Sequence, residues 1–182
     1  MLRSFALVFL SLFVVSGDES CDRSEMENTI CSLCSQRRGS ELLEAGHQIA
    51  FFAYMTQNVQ ISSISKHMAF VYDRVETNHG NGYDVQSGNF TAPENGVYVF
   101  HTSSTSYDKS YCSVEVVKNG QIKDITFADS GQHDDRAMAS SLTILSLTKG
   151  DIVHTRVGEA RGGSHLESNR YTRMSFSGFK LA

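Results

Sequence analysis

The sequence predicts an all-β protein, and three observations carry that prediction. The chain has 14 glycines and a single proline, 11 phenylalanines and seven tyrosines, and no sustained helical spacing of apolar residues. Short runs rich in β-branched and aromatic side chains, separated by turn residues, are the pattern of strands.

The amino terminus stands apart from this pattern. Met1, Leu2 and Arg3 make a short basic start, residues 5–15 form an apolar run broken by Ser11, and Val15, Ser16 and Gly17 are small residues suited to cleavage. That layout is a secretory signal, so residues 1–17 are read as a signal peptide and the product as secreted. The run is too short for the roughly 20 apolar residues of a membrane helix, and no membrane insertion is expected. Residues 18–46 form a polar stalk whose larger aliphatics are few, among them Leu33, Leu42 and Leu43, with no Gly-X-Y period. Residues 47–182 are read as one globular domain. A net charge of -4 without blocks of like charge argues against nucleic acid as a partner.

Within the domain the strands follow in order. Residues 49–55, 67–72 and 96–102 are apolar enough to be core. Residues 113–118 run into Asn119-Gly120, the dipeptide of a two-residue hairpin, and residues 121–127 return. Residues 142–147 meet a Lys149-Gly150-Asp151 turn, and residues 152–157 form the next arm. In the last strand Met174 and Phe176 share one parity, Phe179 and Leu181 the other. Gly178 at the change suggests a bulge or burial on both faces. Roughly eight to ten strands without helices make a sandwich or barrel.

One stretch carries more. Tyr72, Asn78, Tyr83 and Phe90 precede residues 96–102 at fixed spacings, and residues 176–181 close the chain with Phe-Ser-Gly-Phe-Lys-Leu. This arrangement resembles the signature and final strand of the C1q domain, over about residues 49–182. Tyr72 and Thr102 depart from the family's aromatic preferences: the first adds a hydroxyl that needs a partner if buried, the second loses packing volume. The resemblance implies a ten-stranded jelly-roll β-sandwich, similar to tumour necrosis factor, that associates as a homotrimer. Phe90, Tyr98 and Phe100 are then core or subunit-contact aromatics.

Chemistry is harder to find. No G-x-S-x-G, H-E-x-x-H or related spacing occurs, so the chain is not read as an enzyme. Cys21, Cys31, Cys34 and Cys112 are disulfide candidates, with bonds between copies one option among the possible pairings. The acidic segment 129–135 offers Asp129 and Asp135 as candidate calcium ligands, because calcium takes oxygens from flexible polar loops. The polar segments 78–86 and 156–170 supply the ligand-binding candidates Asn78, Tyr83, Asp84, Arg156, Arg161, His165 and Arg170, with Tyr107 and Tyr171 as rings able to stack on sugars. Asn89-Phe90-Thr91 is a glycosylation sequon. The function expected from the resemblance is a lectin-like pattern-recognition protein of innate immunity, binding carbohydrate or other microbial surface ligands. The alternative is a signalling or adhesion ligand resembling the cerebellins.

Overall fold

Eleven strands order the described part of the chain, residues 48–181 of the computed structural model. They are β1 (Ala50–Tyr54), β2 (Val59–Gln60), β3 (Arg74–His79), β4 (Phe90–Thr91), β5 (Gly96–Tyr107), β6 (Tyr111–Lys118), β7 (Gln121–Asp129), β8 (Arg136–Leu147), β9 (Ile152–Gly162), β10 (His165–Leu166) and β11 (Ser175–Lys180). The larger sheet has the order β2-β10-β5-β11-β1-β3, with β8 also paired to β5. The smaller has the order β4-β9-β6-β7. Every pairing is antiparallel. The all-β jelly roll expected from the sequence is the fold observed.

The β6–β7 hairpin closes at Asn119 and Gly120, with φ of 48° and 80°, the left-handed pair that such a turn demands. Between the sheets lies a cluster of rings. Phe51 stacks on Phe90 at 5.0 Å and on Tyr83 at 5.2 Å, and meets Phe176 edge-on at 5.0 Å. Phe100 packs against Phe90 and Phe176 at 5.4 and 5.8 Å. Such contacts add roughly 0.5–1.5 kcal/mol each beyond area burial.

Three readings of the sequence change. Residues 67–72 are not a strand: only Ala69 bridges to Arg156, although His67 N, Val157 N and Phe70 N bond across to and from β9 at 2.8–3.0 Å. His67, at the head of the run, belongs to a turn at φ 62°, and the backbone bonds to β9 beyond it end at Phe70. Second, β5 and β8 are 12 residues each, far longer than their apolar runs. They continue through serines and threonines, several of whose hydroxyls find partners, as in Ser103 to Ser175 and Thr105 to Thr172, both at 2.8 Å. Third, β11 has neither a bulge nor a parity change at Gly178, which pairs in register with Phe51 and Phe100. Met174, Phe176 and Gly178 all point inward. A Cβ at Gly178 would lie 2.6 Å from Phe100 Cδ1 and 2.9 Å from Phe51 Cε1, so the rings occupy the place of its side chain.

Candidate functional site

The signature residues build a rigid corner. Asn78 Nδ2 donates to the Tyr83 carbonyl at 2.9 Å and its Oδ1 accepts from Tyr83 N at 3.1 Å, closing the loop between β3 and β4. Tyr83 is buried; its hydroxyl accepts from Tyr72 N and donates to Tyr72 O at 3.1 and 3.2 Å, and burial pushes it up to about 12. The extra hydroxyl of Tyr72 has the partner it needs, Thr155 Oγ1 at 2.8 Å. Asp84 accepts from Ser87 Oγ at 2.6 Å and Gln86 N at 3.0 Å, and these bonds hold its carboxyl below the usual range. Asn78 and Asp84 therefore spend these bonds on the loop itself, and Tyr83 ties the loop to the backbone of Tyr72.

The other candidates divide. Arg156 Nε lies 2.7 Å from Glu115 Oε2, and this glutamate is 2% exposed. Arg161 Nη1 donates to the Ile61 carbonyl at 3.1 Å. Both are tied into the sandwich from β9. His165 and Arg170 instead join a continuous chain of stacked groups. The His165 ring is 5.4 Å from Tyr107, Arg136 lies 4.9 Å over Tyr107 and 5.2 Å over Tyr171, and Arg170 lies 4.7 Å over the other tyrosine of this series, Tyr171. Beneath them the buried Glu167 accepts from Arg136 through both carboxylate oxygens, one of them at 2.9 Å, and from Asn169 Nδ2 at 2.8 Å. The Arg136 guanidinium holds its carboxyl below the ordinary value. Arg136 and Glu167 carried no signal of this role in sequence, because they are 31 residues apart and meet only through the β5–β8 and β5–β10 ladders.

The remaining candidates can be placed briefly. Asp129 Oδ1 accepts from Gly131 N, and Asp135 Oδ1 from Arg136 N, both at 2.7 Å. Among the described residues no group of three His, Cys, Asp or Glu converges, and calcium takes six to eight oxygens. Cys112 is buried and forms no disulfide among the described residues, and burial pushes its thiol up to about 11. Cys21, Cys31 and Cys34 lie outside the described residues, as do the signal peptide and the stalk to residue 46. Asn89 is half-buried and Thr91 exposed, with the Phe90 side chain turned inward between them.

An apolar strip crosses the outer face of the larger sheet. Ile144, Val99 and Phe179 are register neighbours on β8, β5 and β11. Met138, Leu142 and Ile144 are 69%, 62% and 60% exposed, and Phe179, Phe52 and Val97 also face outward. No helix among the described residues is long and apolar enough to cross a membrane.

Two antiparallel sheets closed over an aromatic core define a jelly roll of the C1q and tumour necrosis factor type. The chain belongs to the C1q domain family, whose pattern matches residues 50–181. It is 32% identical over 137 residues to mouse complement C1q tumor necrosis factor-related protein 3, covering 74% of this chain and 51% of that protein. The chain thus spans about half the length of this relative. The globular domain of zebrafish complement 1qA superposes with a TM-score of 0.61 at 17% identity, over 75% of this chain and 98% of that domain. Murine APRIL superposes with a TM-score of 0.57 at 14% identity, over 74% and 99%. These likenesses concern the fold.

Proposed function

We propose that this protein is a secreted, non-enzymatic recognition module that self-associates as a homotrimer and binds glycans or other microbial surface ligands through its loops. The observation behind it is the exposed apolar strip on the larger sheet. Leu142 and Ile144 on β8 and Phe179 on β11 flank β5 from either side and are each about half exposed or more. Monomers rarely leave a contiguous patch of that kind in water. Covering it with copies of the same face around a closed axis removes it, and leaves every loop displayed once per copy. Repetition turns weak saccharide contacts into useful avidity without any new contact.

The test combines light scattering with a glycan array. The parent is expected to elute as a trimer and to bind saccharides, and Ile144→Asp to elute as a monomer with binding reduced by roughly 10²-fold or more. A monomeric parent sinks the assembly, and a parent that binds no saccharide with or without chelator sinks the lectin reading. A calcium ion at Asp129 and Asp135 would be expected to stabilise the parent thermally and to lose that effect in Asp135→Ala; absence of thermal stabilisation by calcium in the parent dismisses it.

A second reading, a signalling or adhesion ligand of cerebellin type, is favoured by Cys21, Cys31 and Cys34 ahead of the domain, available to link copies into larger assemblies. If reduction leaves the assembly's size unchanged, intermolecular disulfides do not hold it together.

A further inference from the structure

We propose that the loop between β10 and β11, with Arg136 at the start of β8, is a cation–aromatic site for saccharides bearing a carboxylate or sulfate group. This rests on the glycan-binding reading above and names the class of glycan and the place where it binds.

The loop is held still. Ser168 Oγ donates to the Met55 carbonyl at 2.5 Å and accepts from Met174 N at 3.1 Å, while Ser168 N donates to Asn58 Oδ1 at 2.8 Å. Asn169 N donates to the Thr172 carbonyl at 2.8 Å, and the Thr172 hydroxyl meets that of Thr105 on β5 at 2.8 Å. What this fixed backbone displays is Arg170, Tyr171 and Arg173, all exposed. Binding groups on a preordered loop lose little entropy when a ligand arrives.

The side chains are ordered too. Tyr171 is 65% exposed, with the Arg170 guanidinium 4.7 Å and that of Arg136 5.2 Å from its ring centre. Arg170 Nη2 also reaches the Tyr171 hydroxyl at 2.5 Å. Arg173 lies 4.6 Å over Tyr54 at the end of β1. Each stacked guanidinium has its remaining N–H donors left for solvent or ligand, in the planar fork that matches carboxylate and sulfate oxygens.

Charge decides which ligand fits. The whole chain is at -4, yet the only carboxylate from residue 165 to 173 is Glu167, buried and neutralised by Arg136. Among the described residues no carboxylate lies within ion-pairing distance of Arg170 or Arg173. Two unpaired cations on an otherwise acidic protein make a local anion site. A neutral sugar would desolvate them without return, and a long polyanion such as nucleic acid would meet the overall negative charge. The site lies at the Tyr107–Arg136 end of the β5–β8 ladder and would be repeated in each copy of an oligomer.

The experiment uses the full secreted protein on three immobilised hexasaccharides: one from hyaluronan (carboxylate), one from heparin (carboxylate and sulfate) and a neutral one from chitin. Binding to at least one acidic probe is expected, weakening with added salt, at an affinity at least tenfold above the chitin fragment. Arg170→Gln and Arg173→Gln are each expected to weaken it about tenfold, the size of one charge-assisted hydrogen bond. Tyr171→Ala is expected to weaken it and Tyr171→Phe to retain most of it, with unchanged melting temperatures in all four. Hyaluronan binding without heparin binding points to carboxylate alone, and the reverse to sulfate. Acidic binding unaltered in the Arg170→Gln/Arg173→Gln double variant overturns this site, as does equal affinity for the chitin fragment; both leave the glycan reading standing. No binding to any of the three, together with an empty wider array, removes both.

Discussion

Replacing Arg156 with methionine separates a structural role from a ligand-binding one. Arg156 Nε lies 2.7 Å from Glu115 Oε2, with the two side chains 19% and 2% exposed, so the pair is largely shut off from water. Methionine keeps most of the apolar stem and removes the charge, leaving the Glu115 carboxylate with the His67 imidazole, Nδ1 at 3.8 Å, as its remaining basic neighbour. Breaking a buried pair from one side costs roughly 3–5 kcal/mol. Against a total of about 5–15 kcal/mol for a domain, that is a large share. Removing both partners, Arg156→Met with Glu115→Leu, is expected to recover most of the loss, since a buried pair gains little beyond its own desolvation. Guanidinium unfolding of parent, single and double variants at one protein concentration reads both steps, the concentration being fixed because assembly contributes to stability. A single variant within about 1 kcal/mol of the parent, or a double variant no more stable than the single, refutes the reasoning.

Gly178→Ala sets a methyl group against Phe100 and Phe51 at 2.6 and 2.9 Å, an overpacking expected to cost about 1–3 kcal/mol, and an unchanged melting temperature in calorimetry would show that the rings can move aside. Asp151 accepts from Thr148 N and Asn119 Nδ2 at 2.8 Å and pairs with Lys118 at 2.9 Å, and these bonds hold its carboxyl well below the usual carboxylate range. A depressed carboxyl stabilises the fold above its unfolded value near 4 and loses that contribution as pH falls further. The melting-temperature gap between parent and Asp151→Asn is therefore full at pH 7 and narrows below pH 4; a gap equal at both overturns the assignment. Asn89 and Thr91 leave the core on either side of inward-facing Phe90, so eukaryotic secretion is expected to attach a glycan at Asn89. A glycosidase-sensitive mobility shift present in the parent and lost in Asn89→Gln checks it.

Much of the fold was legible because the central strands advertise themselves. β1 is a continuous apolar run, β6 and β9 carry valines at close intervals, and Asn119-Gly120 marks its hairpin because both residues accept the left-handed backbone the turn requires. What was hidden follows from physics that local composition does not record. β3 has Val75 as its only large aliphatic residue and holds its place at the edge of the larger sheet by pairing with β1. The hydroxyl-rich halves of β5 and β8 are strands because their backbones pair along all 12 residues, not because their side chains are apolar. Gly178 reads as a break in sequence, yet it is the point where two phenylalanine rings need the space.

The site was less legible for a different reason. An arginine in a polar segment looks the same in sequence whether it closes onto a buried carboxylate or stands on a loop. Arg156 and Arg170 were equal candidates there, and only their partners distinguish them: Glu115, which reads as the polar member of an alternating strand, and the exposed ring of Tyr171. The same holds for Arg136. Its charge belongs to Glu167, so removing it would expose a buried carboxylate rather than simply delete a ligand contact, whereas Arg170 and Arg173 can be exchanged for glutamine without leaving any buried group unpaired. Stability and binding should therefore separate cleanly along this loop: loss of Arg136 lowers the melting temperature, and loss of Arg170 or Arg173 does not.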